Sequence, residues 1–289
     1  MASNTVPASK IRIFLEMIKF EHTIFALPFA YIGAMLVEQR IPSGSDILWI
    51  TLAMVGARTA AMSLNRIIDR HIDAKNPRTA NRALPKGQLS VQEVWVYVVL
   101  SLLLLMVSAY QLTPLAFKLL PLAVAALVIY PYTKRFTWGC HLFLGATLAI
   151  APVGAWIAIS GYFELAPILL GLGVTFWVAG FDIIYACDDY HFDKQYAVHS
   201  IPARFGIATA LKISRLFHVI APVFFISTGM VLNLGIFYFI GVAIALALLF
   251  QQHRLVKPDD LSRGGVAFFT LNGMLSVVMF VATLVEILI

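Results

Sequence analysis

The chain has 289 residues, 60% of them hydrophobic and only 12% charged, with a formal net charge of +6 and a mean hydropathy of +0.86. A soluble domain carries roughly 25% charged residues, so this composition excludes an ordinary water-soluble core and makes lipid the solvent for most of the chain. The positive charge does not call for nucleic acid, because membrane topology accounts for it, and no nucleic-acid partner is expected.

The first twenty residues hold Lys10, Arg12, Glu16 and Lys19 and show no small-residue cleavage site after an apolar run, so no removable signal peptide is expected. Apolar stretches of spanning length follow at 20–37, 46–64, 93–112, 115–133, 141–160, 165–185, 213–232, 234–250 and 266–288. Each suits a helix of ~20 residues. A lone lipid-facing strand would leave backbone groups unpaired, and the stretches lack the polar alternation of barrel strands. The expected fold is all-α: a polytopic membrane protein, a bundle of nine transmembrane helices in a single domain over residues 1–289. Short connections, such as Asn233 to Gly235 and Gly161 to Glu164, make consecutive helices antiparallel neighbours. Cys140 and Cys187 are expected as free thiols.

Basic residues set the orientation. With the N-terminus in the cytoplasm and nine spans, only Arg40 and Lys118 of the 21 basic residues fall outside, and Arg58 lies within a span. The C-terminus is then outside. The two long cytoplasmic connections, 66–92 and 186–212, are not low-complexity, and long ordered loops tend to carry function. The expected location is the cell (inner) membrane, with the active site at its cytoplasmic face.

Two Asp-rich motifs close spans on that face. The first reads Asn65-Arg-Ile-Ile-Asp69-Arg-His-Ile-Asp73. On a helix Asn65, Asp69 and Asp73 fall within ~80° of one another, and Arg58 continues the stripe. The second runs from Asp182 to Asp193, and on a continuous helix Asp182, Tyr185, Asp189 and Asp193 share a face, which leaves Asp188 as a solvated surface carboxylate. A solvated helix end with Arg–Asp pairs is the plain alternative. Against it, a carboxylate such as Asp182 beside an apolar run is costly without a cation.

Hard oxygen ligands suit Mg²⁺, which keeps waters and shares phosphate oxygens. The Cys and His residues form no zinc spacing. Facing acidic helices with basic residues nearby form a diphosphate clamp: carboxylates hold Mg²⁺, and Lys or Arg takes the remaining phosphate charge. Lys134 and Arg135 at the fourth helix end, with Arg78, Arg82 and Arg204 in the loops, are the candidates.

At these residues the sequence resembles the UbiA superfamily of intramembrane prenyltransferases, through N-x-x-x-D-x-x-x-D after helix 2 and D-x-x-Y-x-x-x-D after helix 6. The likeness covers essentially the whole chain and leans to the 4-hydroxybenzoate polyprenyltransferase branch. Lys19 to His22, Asn65 to Arg82, Tyr130 to Arg135 and His199 to Gly206 are similar to the UbiA-like MqnP proteins of menaquinone synthesis. The resemblance implies Asn65, Asp69, Asp73, Asp182, Asp189 and Asp193 as ligands of Mg²⁺ and prenyl diphosphate. It implies Tyr130 and Lys134 as a Y-x-x-x-K element, with Lys134 on the diphosphate, and Arg58 on the acceptor's carboxylate or the departing charge. Asp69, Asp189, Lys134 and Arg58 are the implied catalytic set. Many members have Asn-Asp at the start of the first motif; this chain has Asn65-Arg66, so Arg66 cannot be a metal ligand.

The function so implied is Mg²⁺-dependent transfer of a polyprenyl group to an aromatic acid, 4-hydroxybenzoate or 1,4-dihydroxy-6-naphthoate in type, in ubiquinone or menaquinone synthesis. Phe25, Phe29, Tyr130, Phe181 and Tyr185 are aromatic faces that could line a dry site for an allylic cation. A membrane transporter is the rival outside enzymology, given the intramembrane charges Arg58 and Asp182, but no internal repeat is visible. The D-G-x-x-A-R signature of phosphatidyl-alcohol transferases is absent. Haem farnesylation and chlorophyll esterification fit the local stretches less well.

Overall fold

The computed structural model describes residues 9–19 and 26–289. Among these the regular structure is helical throughout, with one isolated two-residue bridge, Lys257 to Asp260. In chain order come α1 (Lys10–Met17), α2 (Leu27–Leu36), α3 (Gly44–Lys75), α4 (Val91–Tyr110), α5 (Pro114–Thr133), α6 (Cys140–Ser160) and α7 (Leu165–Ala186). A 3₁₀ turn at Cys187–Asp189 leads to α8 (Tyr190–Gln195) and α9 (Ile201–Phe205). Then follow α10 (Ile207–Val231), α11 (Ile236–Leu255), a π-helical turn at Val266–Thr270 and α12 (Leu271–Leu288).

Among the described residues, eight helices are long and apolar enough to cross a membrane, which makes the chain an integral multi-pass membrane protein. They correspond in order to the expected stretches from 46–64 onward. The first expected stretch, 20–37, begins on residues outside the described ones, as do Phe25 and most of the Lys19 to His22 segment. Its described helix, α2, has 10 residues, a length of ~15 Å against a hydrocarbon core of ~30 Å. Cys140 and Cys187 are free thiols.

Close backbone approach holds the centre together. A Cβ on Gly33 would lie 2.2 Å from the Pro152 carbonyl oxygen, so α2 rides directly on α6. Gly145 meets the Thr175 carbonyl in the same way between α6 and α7. Small residues at such crossings substitute for a hydrophobic driving force, which lipid does not supply. α7 is the most buried span, packed between α6 and α10. A polar knot ties it to the C-terminal helices: Trp177 Nε1 and Gln252 Nε2 both donate to Asn272 Oδ1, at 2.8 and 2.7 Å. Both donors are thereby satisfied out of water, while Gln252 Oε1 is buried without a hydrogen bond.

Aliphatic residues cover the bundle's outside: Leu122, Leu216, Val223, Met230, Ile236 and Phe250 are each more than half exposed. Lipid is the solvent these faces fit. Phe29 and Phe181, candidates for the site lining, are instead core residues, 1% and 4% exposed, each in ring contact with Trp177.

Candidate active site

α3 runs well past the expected span end, through the whole first motif to Lys75. Ser43 caps its start by accepting from the Asp46 amide. It stops where Pro77 bars Asn76 from helical dihedrals, and Asn76 is extended at φ −87°, ψ 118°. The chain then turns back over the helix end. Ala83 and Leu89 of this return bury against Leu64 and Ile67 of α3 and Phe14, Met17 and Ile18 at α1. The expected loop 66–92 is therefore helical to Lys75 and a packed cover beyond it.

Three carboxylates at this end of the bundle each carry their own cation. Asp69, whose side chain is 1% exposed, receives Lys134 Nζ at 2.5 Å and Asn65 Nδ2 at 3.0 Å, both on Oδ2. Arg135 Nη2 stands 3.3 Å from Asp69 Oδ1 and donates to the Ile68 carbonyl at 2.8 Å. Asp69 Oδ1 is itself buried without a hydrogen bond. Asp73 takes Arg82 Nη1 at 2.7 Å on each oxygen. Asp189 takes the fork of Arg78, Nε at 2.9 Å on Oδ1 and Nη2 on Oδ2, together with Asn76 Nδ2 at 2.8 Å.

These contacts bring together four separate parts of the chain. Asp69 and Asp73 come from α3, Lys134 from the cap of α5, Arg78 and Arg82 from the return after α3, and Asp189 from the turn after α7. The Arg78 guanidinium lies 4.4 Å over the Tyr185 ring, which stacks on Phe268 of the π-helical turn at 4.3 Å. Burial pulls the Arg78 pKa down, but the bonds to Asp189 and the Tyr185 contact outweigh it and hold the group above its ordinary value. Arg78 stays charged. Tyr130, half-buried, lies within electrostatic reach of Arg66, Asp69, Arg58 and Asp182.

The second motif is not one helix face. α7 ends at Ala186, the 3₁₀ turn intervenes, and α8 restarts at Tyr190, so helical phase does not carry from Asp182 to Asp193. Asp188 is exposed, as expected. Asp182 bonds His141 of α6, Oδ2 to Nδ1 at 2.7 Å. The His141 Nε2 accepts from the Ile201 amide at 3.2 Å, so the proton sits on Nδ1 and is donated to Asp182. Buried Asp193 accepts from Ser200 Oγ at 2.8 Å. Among the described residues, no three His, Cys, Asp or Glu side chains are grouped closely enough to hold a metal ion.

The remaining candidates are placed as follows. Asn65 Oδ1, the oxygen a cation would use, accepts from Arg66 Nη1 at 3.1 Å, and buried Arg66 also donates to the Met17 carbonyl at 3.2 Å. Arg58 Nη2 donates to the Lys19 carbonyl at 3.4 Å. Arg204 is exposed in the last turn of α9 and makes no ion pair with a described carboxylate. Asn76, Thr79, His141 and Ser200 were not singled out from the sequence. Asn76 has a readable local signal in the Pro that follows it; His141 has none, being 41 residues from its partner.

The UbiA prenyltransferase family profile matches residues 26–281. A 4-hydroxybenzoate octaprenyltransferase from Haemophilus ducreyi is 32% identical over 86% of this chain and 88% of its own length. The solved apo structure of a UbiA homologue from Aeropyrum pernix K1 aligns with a TM-score of 0.85 at 34% identity, over 92% of this chain and 98% of that one. A UbiA homologue from Archaeoglobus fulgidus, solved with DMAPP and Mg²⁺ bound, aligns with a TM-score of 0.72 at 20% identity, over 96% and 99%.

Proposed function

The chain belongs to the UbiA prenyltransferase family, and we propose that it transfers a polyprenyl group from polyprenyl diphosphate to an aromatic acid at the paired-charge site of Asp69, Asp73 and Asp189. The acceptor is of the 4-hydroxybenzoate or dihydroxynaphthoate type, which puts the enzyme in quinone synthesis. The 4-hydroxybenzoate octaprenyltransferase name of the Haemophilus ducreyi relative supports this acceptor class. Residues 1–289 act as one domain in the cell (inner) membrane, with nine spans, the N-terminus and the site on the cytoplasmic side and the C-terminus outside. The basic-residue distribution supports that orientation.

One observation carries the reading: three carboxylates on two motifs are each held by a different Lys or Arg, two from the return after α3 and one from the cap of α5. A metal–diphosphate unit presents both signs of charge, so it can take the carboxylates through the metal and the cations through phosphate oxygens. The donor set is oxygen, with a buried Asp69 Oδ1 that lacks a hydrogen-bond donor, which fits a hard divalent cation such as Mg²⁺. Asp69, Asp73, Asp189, Asp193, Asp182 and Asn65 would hold it. The chemistry a bound divalent cation supplies is charge neutralisation at the departing diphosphate.

The chain's own groups do the rest. Lys134, Arg135, Arg78 and Arg82 bind and orient phosphate oxygens, with Arg204 at the rim, and Lys134 and Arg78 stabilise the charge that grows there as the allylic C–O bond breaks. Tyr130 offers a ring face to the allylic cation, Tyr185 is held between Arg78 and Phe268 at the site's edge, and the cover formed by residues 76–90 excludes water. Arg58 takes the acceptor's carboxylate and turns its ring to the cation. The ring carbon ortho to the hydroxyl forms the new C–C bond and releases a proton.

The test uses membranes carrying the protein, supplied with Mg²⁺, a polyprenyl diphosphate and an aromatic acid. Asp69→Ala and Asp189→Ala are expected to abolish transfer while inserting normally. Near-wild-type turnover in either variant sinks the assignment. Mass spectrometry of the product with both acceptors competing identifies the ring.

A further inference from the structure

Away from that site, the first turns of α10 and the end of α11 border an open cavity of about 550 Å³ at one end of the bundle. Lys212 and Arg215 line it from α10, and His253, Arg254 and Lys257 line it from α11 and the chain that follows. None of the residues assigned to the diphosphate site borders it. Among the described residues, none of the four Lys and Arg side chains has a carboxylate within ion-pair distance. Asp259 and Asp260 follow in the next turn, and Asp260 is engaged by the Ser262 amide at 3.0 Å.

The lining residue His253 is hydrogen-bonded to buried His218. His218 Nε2 lies 3.2 Å from the Trp177 carbonyl oxygen and must donate to it, so its Nδ1 is an acceptor. His253 Nε2, at 2.9 Å, then donates to that Nδ1, which leaves His253 Nδ1 free of a proton in this arrangement. Lys212, Arg215, Arg254 and Lys257 bring four positive charges to the cavity, offset only in part by Asp260, whose carboxylate lies within electrostatic reach of Lys257.

The same helix faces continue as a hydrocarbon lane. On α10, Leu216 and Val219 lie four residues beyond Lys212 and Arg215 respectively, and they are 55% and 56% exposed. On α11, Phe250 and Leu246 precede Arg254 by four and eight residues, and they are 66% and 47% exposed. At helical spacing these sit on the cavity's own stripe.

We propose that this cavity binds a phosphate-bearing anion, and that its occupant is the headgroup of an anionic phospholipid whose acyl chains lie along Leu216, Val219, Phe250 and Leu246. Basic pockets between spanning helices suit such headgroups. A free phosphate would satisfy the cations but leave the apolar lane without a function, so the lipid is the better match.

The experiment compares the wild-type protein with K212Q/R215Q/R254Q/K257Q. Both are extracted from equimolar phosphatidylglycerol and phosphatidylcholine vesicles, and retained lipid is read by native mass spectrometry. Wild-type protein is expected to retain phosphatidylglycerol over phosphatidylcholine, and the variant to lose at least about tenfold of that preference. A second arm adds millimolar inorganic phosphate to wild-type protein. Binding of phosphate in place of the lipid would overturn the headgroup as occupant. Equal retention by both proteins, or no preference in the wild type, overturns the site. Prenyl transfer in detergent, which uses none of the four residues, reports whether the variant is folded. If it is not, R215Q and R254Q singly are expected to lower the preference in smaller steps.

Discussion

Lys134 Nζ lies 2.5 Å from Oδ2 of Asp69, a carboxylate only 1% exposed, and so joins the cap of α5 to the first Asp-rich motif on α3. A buried carboxylate is tolerable only when paired, so each of these residues depends on the other. In the proposed reaction Lys134→Gln would remove a charge-assisted donor from the departing diphosphate, and it removes the partner of Asp69. Turnover is expected to fall about 100- to 1000-fold, the usual loss for one such donor. Steady-state kinetics of Lys134→Gln, Asp69→Asn and the double variant check it. The pair acts as a unit if the double variant is no worse than the poorer single one; additive losses would show independent roles.

Arg78 is a geometric requirement rather than a simple charge. It forks onto both oxygens of Asp189 and lies over the Tyr185 ring, and Lys can reproduce neither the two-pronged bond nor the planar stacking. Arg78→Lys is expected to cost about 10- to 100-fold in kcat/KM, as the loss of a charged hydrogen bond implies. The measurement is kcat/KM for the prenyl diphosphate, with insertion confirmed. An unchanged value would mean that charge alone suffices.

The helical bundle could be read from the sequence because spans of ~20 apolar residues are a local property of the chain. The α3 stripe could be read for a similar reason: Asn65, Asp69 and Asp73 sit on an unbroken helix, so their phase holds. The same reasoning failed beyond Ala186, where a 3₁₀ turn resets the phase before Asp193. Periodicity cannot register a turn whose cause lies in packing. The partners of Asp182 and Asp193 were equally hidden. His141 and Ser200 reach them through helix packing and a loop, and neither contact has a signature in sequence spacing.

His141 gives that loss a test. Its ring accepts from the Ile201 amide and donates to Asp182, so it connects α6, α7 and α9. His141→Phe fills the space but leaves Asp182 and the buried Ile201 amide without a partner, a cost on the order of 1–3 kcal/mol for the amide and less for the part-exposed Asp182. A lower melting temperature in detergent is expected. His141→Asn, which keeps a donor and an acceptor, should recover part of it. If both variants melt like wild type, the contact has no structural weight.

The paired charges also predict how a divalent cation will bind. Asp69, Asp73 and Asp189 already carry Lys134, Arg82 and Arg78, so a metal ion alone must displace ammonium or guanidinium groups from their partners. Pyrophosphate alone faces the reverse problem, since the cations it needs are held by carboxylates. At the proposed site the two together would resolve both, since phosphate oxygens would take over the cations and leave the carboxylates free for the metal. Mg²⁺ or pyrophosphate added singly to chelator-treated protein is therefore expected to shift the melting temperature little. The two added together should stabilise strongly, by about 2.7 kcal/mol at a hundredfold excess over Kd. Thermal unfolding under the four conditions decides it. A full shift with Mg²⁺ alone would mean that the carboxylates bind metal without first giving up their cations, contrary to the exchange argued from these three ion pairs.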